Sequence, residues 1–101
     1  MLVDGDIQVW LESDGRKGSL ITPYIQSPDE RTIQYLLKAV KSGRSGRSQI
    51  TQSGTVTTTS NQPVALGRFS ISIASDDECH IELFLTDDGA LLAEFMLPCP
   101  R

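Results

Sequence analysis

Cys79, His80 and Cys99 are the side chains of this sequence best suited to metal or nucleophilic chemistry, and their arrangement favours neither. Tetrahedral zinc takes four nitrogen or sulfur ligands, whereas the chain holds 2 cysteines and 1 histidine. Any Ser-His-Asp or Cys-His arrangement would have to use His80. That residue follows Cys79 in a strand-like segment, where successive side chains point to opposite faces. The acidic run Asp76-Asp77-Glu78 lacks the spaced carboxylates of a calcium loop and reads as a solvated turn. No glycine-rich phosphate loop follows a strand pattern. The sequence therefore predicts a protein that is not an enzyme and uses no catalytic residue, metal or cofactor.

The two thiols leave a disulfide or a pair of free cysteines. In an alternating strand Cys79 shares its face with Ile81, Leu83 and Leu85, and Cys99 shares its face with Leu91, Ala93, Phe95 and Leu97. An antiparallel hairpin turning at Asp88 brings both thiols to one side. Cys79 and Cys99 are thus a candidate bridge, favoured in an oxidising compartment.

The elements that must position these residues follow from turn chemistry. Asp14-Gly15-Arg16-Lys17-Gly18, Ser27-Pro28-Asp29, Ser42 to Gly46, Ser60 to Pro63, Ser75-Asp76-Asp77 and Asp87-Asp88-Gly89 are turn formers separated by stretches of strand length. Ile7, Val9 and Leu11 alternate with Gln8, Trp10 and Glu12. Phe69, Ile71 and Ile73 alternate with Arg68, Ser70 and Ser72. The run Thr55 to Thr59 favours strand as well. One segment conflicts: Ser27 to Glu30 supplies capping residues, and Ile33, Leu36, Leu37 and Val40 follow at helical spacing. The competing strand register places Ile33, Tyr35, Leu37 and Ala39 inward, with Thr32, Gln34, Leu36 and Lys38 outward.

A length of 101 residues with 39% hydrophobic content supports one compact domain, 1–101. The net charge of −4 argues against a nucleic-acid partner. No apolar run is long enough to cross a bilayer. Met1-Leu2-Val3-Asp4 does not read as a secretory leader, so an exported protein would carry this sequence after its leader is removed.

From Asn61 to Pro98 the chain runs through Asn61-Gln62-Pro63 before an apolar pair, then Arg68 opening an alternating Phe/Ser/Ile strand. The acidic turn Asp76 to Glu78 and the hairpin around Asp87-Asp88-Gly89 follow. In this order the sequence resembles the C-terminal half of the periplasmic curli-assembly inhibitors of the CsgC/CsgH type. Leu20-Ile21-Thr22-Pro23, the Gln34 to Val40 segment and the glycines Gly43 and Gly46 extend the likeness upstream. The resemblance implies an all-β, seven-stranded immunoglobulin-like β-sandwich, and on that ground the Gln34 to Val40 segment is assigned as strand. It also implies a periplasmic, monomeric, chaperone-like inhibitor, whose partner is an amyloid-forming curli subunit held back from premature polymerisation by transient binding. A Cys-x-Cys pair marks the third strand of the enteric inhibitors. Here Arg31-Thr32-Ile33 stands in its place, which removes the residues of a thiol-redox role and points to the CsgH-like branch. The alternative reading is a structural or adhesive immunoglobulin-like module of a surface or pilus system.

Within such a sandwich, Gln34 to Val40, Cys79 to Thr86 and Ala90 to Leu97 are the third, sixth and seventh strands of one sheet. Alternation then aims Leu36, Phe84, Leu92 and Met96 outward, bordered by Lys38, His80, Glu82 and Glu94, as on a transient protein-binding face. Lys38, Lys41, Arg44 and Arg47, with Arg16 and Lys17 in an earlier turn, form a basic group able to steer and hold an extended chain. The client-binding surface expected from sequence combines both sets. Arg16, Lys17, the charged hairpin loop, Pro23 and Pro63 are read as guards against edge-to-edge joining.

Overall fold

A computed structural model describes residues 7–14, 19–44 and 46–99. Every regular element among them is a strand: β1 (Gln8–Asp14), β2 (Ser19–Gln26), β3 (Arg31–Gly43), β4 (Gly46–Thr58), β5 (Val64–Ala65), β6 (Phe69–Ile71), β7 (Glu78–Asp87) and β8 (Ala90–Pro98). They form two antiparallel sheets. One has the order β1-β2-β5 with β6 also on β2, and the other the order β4-β3-β7-β8.

The segment with two competing readings is extended: β3 pairs with β4 on one side and β7 on the other. Both backbone edges of this segment are thereby hydrogen-bonded. Its inner row, Ile33, Leu37 and Ala39, is fully buried. These side chains join Ile81, Leu83, Leu85 and Ala93 of the same sheet and Ile21, Ile25, Phe69 and Ile71 of the other in one core cluster. A helix would have split that inner row between faces.

The strand count differs from the expected seven. The edge that pairs with β2 is broken into β5 and β6, which makes eight. Pro23 accounts for the break. β5 pairs with Tyr24 and Ile25 and β6 with Ser19 to Ile21, so the interruption falls opposite Thr22-Pro23. Proline has no N–H to give to a ladder, although its carbonyl still accepts a hydrogen bond from Leu66 N at 2.8 Å. The expectation that Pro23 guards an edge is therefore corrected: it is fully buried in the central strand of its sheet, opposite Leu11 of β1.

Turn residues act where their chemistry predicts. Asp88 (φ 53) and Gly89 (φ 83) both occupy the left-handed region between the paired residues Asp87 and Ala90, as a tight two-residue hairpin requires. Buried Thr58 closes the far end of β4. Its hydroxyl accepts from Arg31 N at 3.1 Å and donates to Asp29 O at 2.8 Å.

Tyr35 bridges the two layers. Its ring lies over Gly54, the opposite residue on β4, where an added Cβ would stand 3.0 Å from the hydroxyl oxygen. That oxygen accepts a hydrogen bond from Gly67 N at 3.2 Å, in the link between β5 and β6. Tyr35→Phe strands a part-buried N–H and is expected to cost about 1–3 kcal/mol in urea unfolding. Gly54→Ala should also destabilise, because a ring that moves off the new methyl lengthens the hydrogen bond its hydroxyl accepts from Gly67 N.

Candidate functional site

The outer face of the β4-β3-β7-β8 sheet is a grid whose rows follow from the strand register. Thr55, Gln34, Thr86 and Leu91 form one row, and Ser53, Leu36, Phe84 and Glu94 the next. Thr51, Lys38, Glu82 and Met96 follow, then Gln49, Val40, His80 and Pro98. Leu36 and Phe84 therefore face each other across β3 and β7, and both are only half-buried. Met96 is 69% exposed and lies diagonally from Phe84. His80 Nε2 lies 3.1 Å from Glu82 Oε2 along the margin of this patch. The sheet thus offers an apolar centre bordered by charge on the β7-β8 side and by hydroxyls and amides on the β4 side.

One expected member is elsewhere. The register shifts between Leu85 and Thr86: Leu85 pairs with Ala93 and Thr86 with Leu91, which leaves Leu92 as the extra residue of a bulge. Leu92 turns inward and packs against the core, while Leu91, assigned inward by alternation, is 59% exposed. A bulge changes parity without altering residue types. The accessible outward apolar set is accordingly Leu36, Phe84, Met96 and Leu91, with the buried Val40 on the same face.

The basic group is also divided. Lys41 points to the inner side of β3, where Nζ donates to Ser72 O at 2.6 Å and stands 3.9 Å from the buried Asp77 carboxylate. Arg44, at the β3-β4 turn, pairs with Asp76 at 3.4 Å with both groups well exposed, an ion pair of small energetic weight. Lys38 and Arg47 alternate onto the outer face, but Lys38 stands in an interior row beside Glu82, whereas Arg47 lies beside Ser42 at the β3-β4 turn end. Arg16 and Lys17 lie outside the described residues. The acidic turn Asp76-Asp77-Glu78, read from sequence as solvated, is partly structural: Asp77 accepts from Ala74 N at 2.8 Å.

Cys79 and Cys99 form a disulfide with Cα atoms 5.5 Å apart. It closes the β7-β8 hairpin at the end remote from its turn. On the other sheet Trp10 stacks on Tyr24, ring centroids 5.7 Å apart. The alternation of β1 places Trp10 outward, but its cross-strand partner becomes visible only with the β1-β2 register.

Fold and site together describe a small two-sheet β domain, cross-linked through its last hairpin, with apolar side chains on the outer face of one sheet. A family model for the thin aggregative fimbriae synthesis protein, Tafi-CsgC, matches residues 5–95. The curli assembly proteins CsgC of Escherichia coli K12 and of Escherichia coli O1:K1 are each 36% identical over 71 residues, 70% of this chain. The match spans 64% of the length of those curated relatives. Among solved structures, the E. coli curli protein CsgC superimposes with a TM-score of 0.75 at 23% identity, over 94% of this chain and 99% of that one. The solution structure of R. palustris CsgH gives 0.72 at 22% identity, over 91% of both chains. The chain belongs to the CsgC/CsgH family.

Proposed function

We propose that this chain serves curli assembly as a non-enzymatic, chaperone-like inhibitor, transiently binding an amyloid-forming fibre subunit before it nucleates. The observation that carries this reading is the outer sheet face, where the paired Leu36 and Phe84, with Met96 diagonal to them, stand beside the uncharged outer row Gln49 to Thr57 of β4. Chains that stack into cross-β arrays are low in charge and rich in strand-forming polar side chains. A face with a modest apolar centre and polar surroundings suits a weak encounter with such a chain better than permanent capture. The disulfide supports action in the oxidising periplasm. In this reading β5 and β6 are two halves of one interrupted strand, the architecture is immunoglobulin-like, and the working unit is a monomer.

The test is a dye-binding aggregation time course of a curli subunit with this protein, with an unrelated immunoglobulin-like domain as control. A lag lengthened by this protein alone supports the proposal; identical traces select an adhesive module instead. The variant F84S/M96S is expected to abolish the lag extension while retaining the wild-type thermal transition. Undiminished inhibition by the folded variant would remove the face from the account.

A further inference from the structure

Most sheet edges in this molecule carry a feature that stops another strand from joining. β1 bears Glu12 and Asp14, both exposed. β8 has the bulge at Leu92 and a proline, Pro98. β5 and β6 are 2 and 3 residues long. Charge, bulges, proline and shortness are the usual defences of an edge.

β4 has none of these over most of its length. It is 13 residues long, and its pairing with β3 runs without a register shift from Arg31↔Thr58 to Gly43↔Gly46. Within it Arg47 is the lone charged residue, and no charged residue occurs from Ser48 to Gln62. Gln49, Thr51, Ser53, Thr55 and Thr57 line its exposed outer row. The strand is also held in place. Ile50 and Val56 pack on the core, and Gln52 Nε2 donates to Arg68 O at 3.3 Å. Among the described residues β4 has one ladder, to β3, so the backbone donors and acceptors of its other side have no strand partner.

We infer that the free edge of β4 is the docking strand of this protein, taking one extended, uncharged Ser/Thr/Gln-type segment of the fibre subunit by strand addition. The inference rests on the proposed function and names where its client sits. Main-chain bonds along the edge supply affinity, and alternate side chains supply selection. The outer hydroxyls and amides accept neighbours of their own kind, whereas a highly charged peptide would set its charges beside groups that cannot neutralise them. A second copy of this chain is disfavoured as occupant, because each copy carries a net charge of −4. The edge is continuous with the outer face, since Leu36 stands next to Ser53. A segment held here has β3 and β7 beyond it in place of identical copies of itself, which ends cross-β stacking on that side.

The test is pulse hydrogen exchange on the isotope-labelled full chain during the lag phase of the aggregation time course, with unlabelled curli subunit in excess. Alternate amides within Gly46–Thr58 are expected to slow about tenfold when free subunit reaches about ten times its Kd, while β1 and β8 amides keep their rates. A lengthened lag without this period-two protection overturns the edge as docking strand and leaves the proposed function standing. No lengthened lag overturns the proposed function and the inference with it. Protection that rises with the concentration of this protein alone assigns the edge to a second copy and likewise overturns the inference.

Discussion

Removing the Cys79–Cys99 bridge, by reduction or as C79A/C99A, is expected to lower the unfolding free energy by about 3 kcal/mol. The two cysteines are 20 residues apart, and closing a loop of that length in the unfolded chain accounts for about 3 kcal/mol on the chain-entropy treatment. The location adds to the effect. β8 is an edge strand with one ladder, and its last pair is Pro98 with His80. Beyond that pair the native chain is held by the bridge, by burial of Cys99 and by a bond from Cys99 N to Cys79 O at 3.4 Å. A domain of this size has roughly 5–15 kcal/mol of total stability, so the loss is a large share of the whole. The urea midpoint with and without reductant is the measurement, and the melting temperature should fall by roughly 12–24 °C. An unchanged midpoint would mean that burial and the backbone bond alone secure the end of β8.

Reading the sequence located the turns because turn chemistry is local. Asp88-Gly89 needs positive φ at both positions, and few residues other than Gly, Asn and Asp supply it. Alternation likewise identified the inner rows of β1, β3 and β7, since Val9, Leu37 and Leu83 meet the core whatever lies opposite. The helix-like spacing of Ile33, Leu36, Leu37 and Val40 shows where periodicity is insufficient. Val40 is buried on the outer face of the sheet rather than in the shared core. Two inner residues and two outer ones together mimic a helical stripe.

The misplaced residues have tertiary causes. Leu91 and Leu92 exchange faces because a bulge inserts one residue, and neighbouring leucines give no sign of which is the extra one. Pro23 reads as an edge residue because proline is excluded from most central strands. Here it is admitted because the neighbouring strand breaks opposite it. Lys41 reads as part of a basic surface until the β6-β7 loop supplies Ser72 and Asp77 beneath it. The undefended edge of β4 follows from strand order, which depends on pairings between segments far apart in sequence.

The second large effect is expected at the centre of the inner face. Leu83 lies between Leu37 of β3 and Phe95 of β8, and Leu83 and Leu37 are both fully buried. L83A should cost about 2–5 kcal/mol, from lost burial and from the cavity left among neighbours that their own ladders hold in place. M96A, on the same sheet but 69% exposed, should change stability by no more than about 0.5 kcal/mol. Urea unfolding of both variants separates the two faces of the sheet energetically, and equal losses would contradict the assignment of inner and outer rows. L37A/L83A enlarges one shared cavity, so the double variant should depart from additivity by about 0.5 kcal/mol or more. Joined to C79A/C99A, L83A should bring the total loss to roughly 5–8 kcal/mol, within the whole stability of a domain of this size. That combination is expected to populate unfolded chain at 25 °C without denaturant, whereas F84S/M96S, confined to the outer face, should leave a folded domain in which the proposed inhibition can be tested apart from stability.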